Sequence, residues 1–145
     1  MLFWLGIAIL VAYVLIGLEV ASGSRKIRFL RDIQPIAPEA APTVSIIVAA
    51  RNEERNVRAA LRSLLSLDYP RLQLLVVDDR SEDCTGAILE EMASGDSRLE
   101  IFHVAELPAG WLGKNHALWQ GSRKASGELL LFTDADVVMA PDVLS

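Results

Sequence analysis

No charged side chain occurs from Met1 to Leu18, MLFWLGIAILVAYVLIGL. Glu19 is the first charge, followed by Val20 and Ala21. At ~1.5 Å per residue this run reaches roughly 30 Å, the thickness of bilayer hydrocarbon. It is apolar on every face, which predicts a membrane-spanning helix over residues 1–21. Trp4 sits where an interfacial aromatic would. A buried core helix is the alternative. A secretory signal would begin with a positive segment, and no Lys or Arg precedes Arg25. The basic residues follow instead, as Arg25, Lys26, Arg28 and Arg31. Positive charge on that side predicts a single-pass N-terminal anchor in the cell (inner) membrane, with the soluble part in the cytoplasm.

Residues 24–33 mix those bases with Ile27, Phe29, Leu30 and Ile33. They form either a short helix on an anionic leaflet or a solvated juxtamembrane stretch. Pro35, Pro38 and Pro42 then predict an extended connection, so residues 22–42 read as juxtamembrane segment and linker.

From residue 43 the pattern changes. VSIIVA (44–49) and LQLLVV (72–77) are short, continuous apolar runs rich in branched residues, the mark of strands buried on both faces. LEIFHV (99–104) and ELLLFT (128–133) predict a third and fourth strand. Between the first two, Val57, Ala60, Leu61, Leu64, Leu65 and Leu67 recur at helical spacing before Tyr69-Pro70. Asn52 is placed to cap that helix, and Ser81 or Asp83 to cap the next, which carries Ala87, Ile88, Leu89 and Met92. Residues 115–125 predict a third helix, broken by Gly127. Alternating strands and helices imply a mostly parallel α/β sheet with helices on both faces. Right-handed crossovers then bring every strand's C-terminus to one edge, where such sheets bind ligands.

Composition narrows the chemistry. Of 145 residues, 52% are hydrophobic and 23% charged, enough apolar surface for one core. Residues 41–145 hold ten bases and sixteen acids, so a bound phosphate there needs local positive groups or a metal. The pI near 5.0 argues against nucleic acid as the partner. One cysteine, Cys84, excludes an internal disulfide and a multi-cysteine zinc site; it reads as packed inward at a helix start. His103 reads as structural and His116 as locally hydrogen-bonded. Trp111 covers either a ligand or the core.

Two acidic pairs fall at the strand ends. Asp134 and Asp136 are two apart, hence on one side of an extended chain, ~7 Å from each other. They can hold a hard divalent cation, which would neutralise a diphosphate, or form a solvated acidic strand end. Asp78 and Asp79 can accept from a nucleobase or ribose, the alternative being that Asp79 or Ser81 caps the following helix. Lys114, beside a helix start, can meet a phosphate or remain a surface lysine. Gly-x-x-x-x-Gly-Lys-Ser/Thr, Gly-x-Gly-x-x-Gly and Gly-x-Ser-x-Gly are all absent from the sequence.

In order and spacing, VSIIVAARNEE (44–54), LLVVDDRSED (74–83), GWLGKNHAL (110–118) and LLLFTDADVVMAPD (129–142) resemble glycosyltransferase family 2, of GT-A (Rossmann-like) fold. The Gly-Trp-Leu-Gly-Lys segment is similar to a branch that glycosylates membrane lipids such as carotenoids and hopanoids. The resemblance implies a nucleoside-diphosphate sugar donor, Mg or Mn, and inverting hexose transfer to a lipid or glycan hydroxyl. It implies that Ala50, Arg51 and Glu53 line the nucleotide pocket and that Asp78 and Asp79 read base and ribose. Asp134 would lie by the ribose and sugar, Asp136 (with Asp134) by the metal, and Lys114 near the donor. The family's base and acceptor-shaping segment are expected downstream of Ser145, making residues 43–145 an incomplete, donor-binding part of the domain. Two alternatives stand beside it: a membrane-tethered nucleotide-binding module without catalysis, and a haloacid-dehalogenase-like phosphatase using Asp-Ala-Asp.

Overall fold

The computed structural model describes residues 2–25 and 37–144. It divides into two compact units, residues 1–35 and 36–145. In the first, α1 (Leu2–Ser24) is one helix of 23 residues, about 35 Å long at ~1.5 Å per residue. Its large apolar side chains, from Phe3 to Val20, are exposed. Phe3–Ser24 is long and apolar enough to cross a bilayer. The helix runs three residues past the expected Ala21, and Ser24 Oγ donates to the Ala21 carbonyl at 2.9 Å. Beyond Ser24 and Arg25, the expected basic segment lies outside the described residues.

The second unit alternates strand and helix: β1 (Val44–Ala50), α2 (Val57–Leu65), β2 (Leu72–Asp79), α3 (Thr85–Ala93), β3 (Leu99–Val104), α4 (Gly113–Lys124) and β4 (Leu129–Asp134). All pairings are parallel and the strand order is β3-β2-β1-β4. This is the parallel α/β sheet that the apolar runs imply.

The two-residue alternation of a strand sorts the core into two faces. Ile46, Val48, Leu74 and Val76 point one way and join Val57, Leu61 and Leu64 of α2 and Leu89 of α3. Ile47 and Val77 point the other way, toward α4. A Cβ on Gly121 of α4 would come within 2.5 Å of Ile47 Cγ2 and 3.3 Å of Val77 Cγ2, so only glycine lets this helix lie so close to the sheet. Ile46, Ile47, Val48 and Leu74 through Val77 are completely buried. That burial on both sides is why their sequence is continuous and not alternating.

Several local details depart from expectation. Helix α2 starts at Val57, not after Asn52. Asn52 takes φ +56°, and its side-chain oxygen accepts from the Glu82 amide at 2.8 Å, joining two loops instead of capping a helix. Helix α3 is served by Asp83, whose Oδ1 accepts from the Thr85 amide at 2.9 Å. Cys84 is exposed, and the neighbouring Thr85 is the residue packed inward. The folded unit also takes in part of the expected linker: Ala41 is buried, and Tyr69 Oη donates to the Pro42 carbonyl at 2.6 Å.

Candidate functional site

From β1 the chain moves outward through β2 to β3, with α2 and α3 on one face. It then returns across the other face through α4 to place β4 on the free side of β1. The strands are parallel, so the C-terminal ends of β1, β2 and β4 lie along one edge of the sheet, the edge where such sheets bind ligands. A cleft of about 330 Å³ lies there. Ala49 and Ala50 reach it from β1, Arg51 and Glu53 from the loop beyond, and Asp79 from the end of β2. Gly113 and Lys114 come from the start of α4, and Asp134, Ala135 and Asp136 from the end of β4. Of the eight site residues expected from sequence, seven line this one cleft; Asp78 does not.

Asp78 and Asp79 separate because β2 continues through both, two residues farther than expected. Consecutive strand side chains point to opposite faces. Asp78 turns toward α3, where Oδ2 meets His103 Nδ1 at 2.9 Å and Oδ1 accepts from the Ser81 amide at 3.2 Å. Asp79 turns toward α4 and is only 3% exposed. Arg80 holds it with two hydrogen bonds, Nε to Oδ1 at 2.8 Å and Nη2 to Oδ2 at 3.0 Å. The Arg80 hydrogen bond keeps the Asp79 carboxyl below the ordinary aspartate value against the opposing effect of burial, with help from the charges of Arg80, Arg51 and His116. A carboxylate has about four acceptor positions, so two remain beyond the Arg80 fork. Gly113 packs directly against this carboxylate: a Cβ there would collide with Asp79 Oδ2.

Across the cleft, Lys114 Nζ pairs with Asp134 Oδ1 at 2.6 Å; both side chains are about half exposed. β4 ends at Asp134, so the expected extended Asp-Ala-Asp is instead a turn, closed by Val137 N donating to the Asp134 carbonyl at 3.4 Å, with Ala135 buried between exposed Asp134 and Asp136. The α4 helix starts two residues earlier than expected, which puts Lys114 in its first turn. His116 N donates to the Leu112 carbonyl at 2.9 Å, and Leu112 provides no side-chain cap. The leading amides of α4 thus add positive potential beside Lys114, favourable to an anion.

A divalent cation is what the resemblance implies. Among the described residues no three His, Cys, Asp or Glu side chains gather as a metal site. Asp134 and Asp136 nevertheless fit a hard cation of the Mg type, which takes one or two carboxylates and completes its shell with waters and substrate phosphates.

The loops after β1 and β2 are laced together, a feature the sequence pattern does not announce. Asn52 N donates to Ser81 Oγ at 3.0 Å, Glu53 N to Thr85 Oγ1 at 2.8 Å, and Glu54 N to Asp83 Oδ2 at 3.2 Å. Glu54 Oε2 accepts in return from the Cys84 amide at 3.1 Å. Arg51, Glu53 and Asp79 are therefore presented by one cross-braced rim. Trp111 packs on His116 and Trp119, with ring centroids at 5.3 and 5.2 Å, and is not among the cleft residues.

The family model described as glycosyl transferase family 2 matches residues 45–145. A beta-monoglucosyldiacylglycerol synthase of Trichormus variabilis is 37% identical over 105 residues, 71% of this chain and 22% of that protein. A 4,4'-diaponeurosporenoate glycosyltransferase of Staphylococcus haemolyticus is 35% identical over 101 residues, 68% of this chain and 25% of that protein. A mannosyltransferase from Pyrobaculum calidifontis, solved with GDP-Man and Mn2+, superposes with a TM-score of 0.69 at 31% identity, over 88% of this chain and 36% of its own. Glucosyl-3-phosphoglycerate synthase from Mycobacterium tuberculosis, solved with Mn2+, UDP and phosphoglyceric acid, gives a TM-score of 0.54 at 28% identity, over 70% of this chain and 37% of its own. The chain thus spans about a quarter of the length of these two curated relatives.

Proposed function

We propose, from the premise that this chain belongs to glycosyl transferase family 2, that its cleft holds a nucleoside-diphosphate sugar for transfer to a hydroxyl acceptor. The observation that carries this reading is the convergence of Arg51, Glu53, Asp79, Lys114, Asp134 and Asp136 on one cleft at the C-terminal ends of β1, β2 and β4. The family match removes the phosphatase alternative. In that class the Asp-x-Asp strand begins the domain, and here β4 follows three other strands.

In this reading Asp79, kept ionised by Arg80, accepts from the base through its remaining lone pairs. Arg51 and Glu53 border the nucleoside, with Ala50 leaving room beside them. Lys114 and the first turn of α4 meet the diphosphate. Asp134 and Asp136 would hold Mg or Mn, whose chemistry when bound is to neutralise the diphosphate as leaving group. Lys114 pairs with Asp134 in this structure, so donor entry would exchange the carboxylate for a phosphate as the partner of Lys114. Transfer with inversion to a membrane lipid completes the reading. It is supported by the lipids named in two relatives and by α1, which would anchor the cytoplasmic domain at the inner membrane.

Calorimetric titration of the full chain with UDP-glucose, UDP-GlcNAc and GDP-mannose, with and without Mn2+, tests this. Saturable binding of at least one donor, strengthened by the metal and weakened by Asp136→Asn, is the expected result. A folded chain that binds none of them would reject it.

A further inference from the structure

His103 lies on the edge strand β3, away from the cleft, and both of its ring nitrogens are engaged by carboxylates. Nδ1 is 2.9 Å from Asp78 Oδ2, and Nε2 is 2.8 Å from Glu90 Oε1 on α3. A carboxylate only accepts, and a neutral imidazole donates from one nitrogen. Both bonds are made together only by the imidazolium. Gly86 of α3 leaves the space: a Cβ there would lie 3.1 Å from Asp78 Oδ2 and 3.5 Å from His103 Cε1.

The contact leads toward the cleft. The other oxygen of Asp78 receives the Ser81 amide, and Ser81 Oγ receives the Asn52 amide. Asn52, at φ +56°, sits between Arg51 and Glu53, and Arg80, at φ +59°, sits between Asp79 and Ser81. Both turns carry left-handed conformations, which an asparagine adopts readily but an arginine uncommonly.

We infer that His103 is a positioning residue for the donor cleft: as an imidazolium it fixes Asp78 between β3 and α3, and Asp78 fixes the paired turns that present Arg51, Glu53 and Asp79. This rests on the donor reading of the cleft. The Glu90 hydrogen bond first, then the hydrogen bond and charge of Asp78, raise the His103 pKa above its ordinary value despite partial burial. The clamp is therefore closed at low pH and opens as pH rises through that raised value. The charged or titratable groups facing His103 are Asp78 of β2 and Glu90 of α3. Glu106, His116 and Lys124 share the shallow groove beside it.

The test is calorimetry on the full chain with UDP-glucose and GDP-mannose in Mg2+, from about pH 6 to about pH 8.5, a window in which neither diphosphodiester titrates. Wild type, His103→Gln, His103→Arg and Asp79→Asn are compared. Wild-type affinity is expected to fall about fivefold across the window. His103→Gln should match the weak, high-pH wild type throughout, and His103→Arg, charged at every pH, should keep tight binding at the alkaline end. His116 and Lys124 are unchanged in all four proteins, so the difference between profiles belongs to His103. Parallel profiles for wild type and His103→Gln, with Asp79→Asn still weakening binding at least tenfold, would overturn the clamp and leave the donor reading intact. Absence of binding by wild type, or full binding by Asp79→Asn, would overturn the donor reading and the clamp's role with it. Amide exchange at Ser81 and Asn52 supplies a ligand-free readout: protection should drop with rising pH in wild type and be low at every pH in His103→Gln.

Discussion

Asp78 and Asp79 show how much one backbone step decides. A strand that stopped at Val77 would have left both carboxylates in a loop, free to share one ligand. Because β2 continues to Asp79, one aspartate faces α3 and the other the cleft. Asp79→Asn is predicted to weaken donor binding by about ten- to a hundredfold, the loss of a charge-assisted acceptor, with the fold unchanged by circular dichroism. Asp78→Asn should weaken binding less and should remove the alkaline pH dependence. The types of the cleft residues were readable from sequence because acids at the ends of buried strands must meet at one edge. The split between Asp78 and Asp79 was not, since it depends on where the strand ends to within two residues. Asn52 has the chemistry of a helix cap, but the backbone group it satisfies belongs to Glu82, 30 residues away, which local spacing does not reveal.

The four strands and three helices of the second unit were legible nearly to their ends because each has a distinct apolar pattern. Val57, Ala60, Leu61 and Leu64 mark one stripe of α2, and all four are completely buried. Leu61→Ala is expected to cost about 2–5 kcal/mol in urea unfolding, the range for truncating a large core side chain. For α4 the pattern was weaker, and its key residue is a glycine, which periodicity ignores. Gly121→Val would press two methyl groups onto Ile47 and Val77 and should destabilise by about 1–3 kcal/mol. The same substitution should lower donor affinity, because α4 carries Gly113 and Lys114 to the cleft. A Gly121→Val protein with wild-type affinity would show that the helix start is positioned independently of this contact.

Across the molecule, the ion pairs set a stability window. Arg98 brings the Asp96 carboxyl down to about 2, and Arg80 holds Asp79 below its ordinary value. These contributions are present above the unfolded aspartate range near pH ~3.9 and fade as pH falls through the lowered values. His103 works in the opposite sense. Its contribution is complete below the unfolded histidine value of ~6.5 and is lost as pH climbs through the raised one. Urea midpoints should therefore be highest between about pH 5 and 6.5 and decline on both sides. The apolar length of α1 predicts that the chain sediments with membranes and that a variant lacking residues 2–24 moves to the supernatant. The central claim, that distant carboxylates share one donor cleft, is tested most directly by amide NMR of that shortened variant during Mn2+ addition in the presence of a bound sugar nucleotide. Paramagnetic broadening is predicted first at Asp134, Ala135 and Asp136, then at Ala50, Asp79, Gly113 and Lys114. Broadening confined to residues outside the cleft, with these seven amides untouched, would contradict the account.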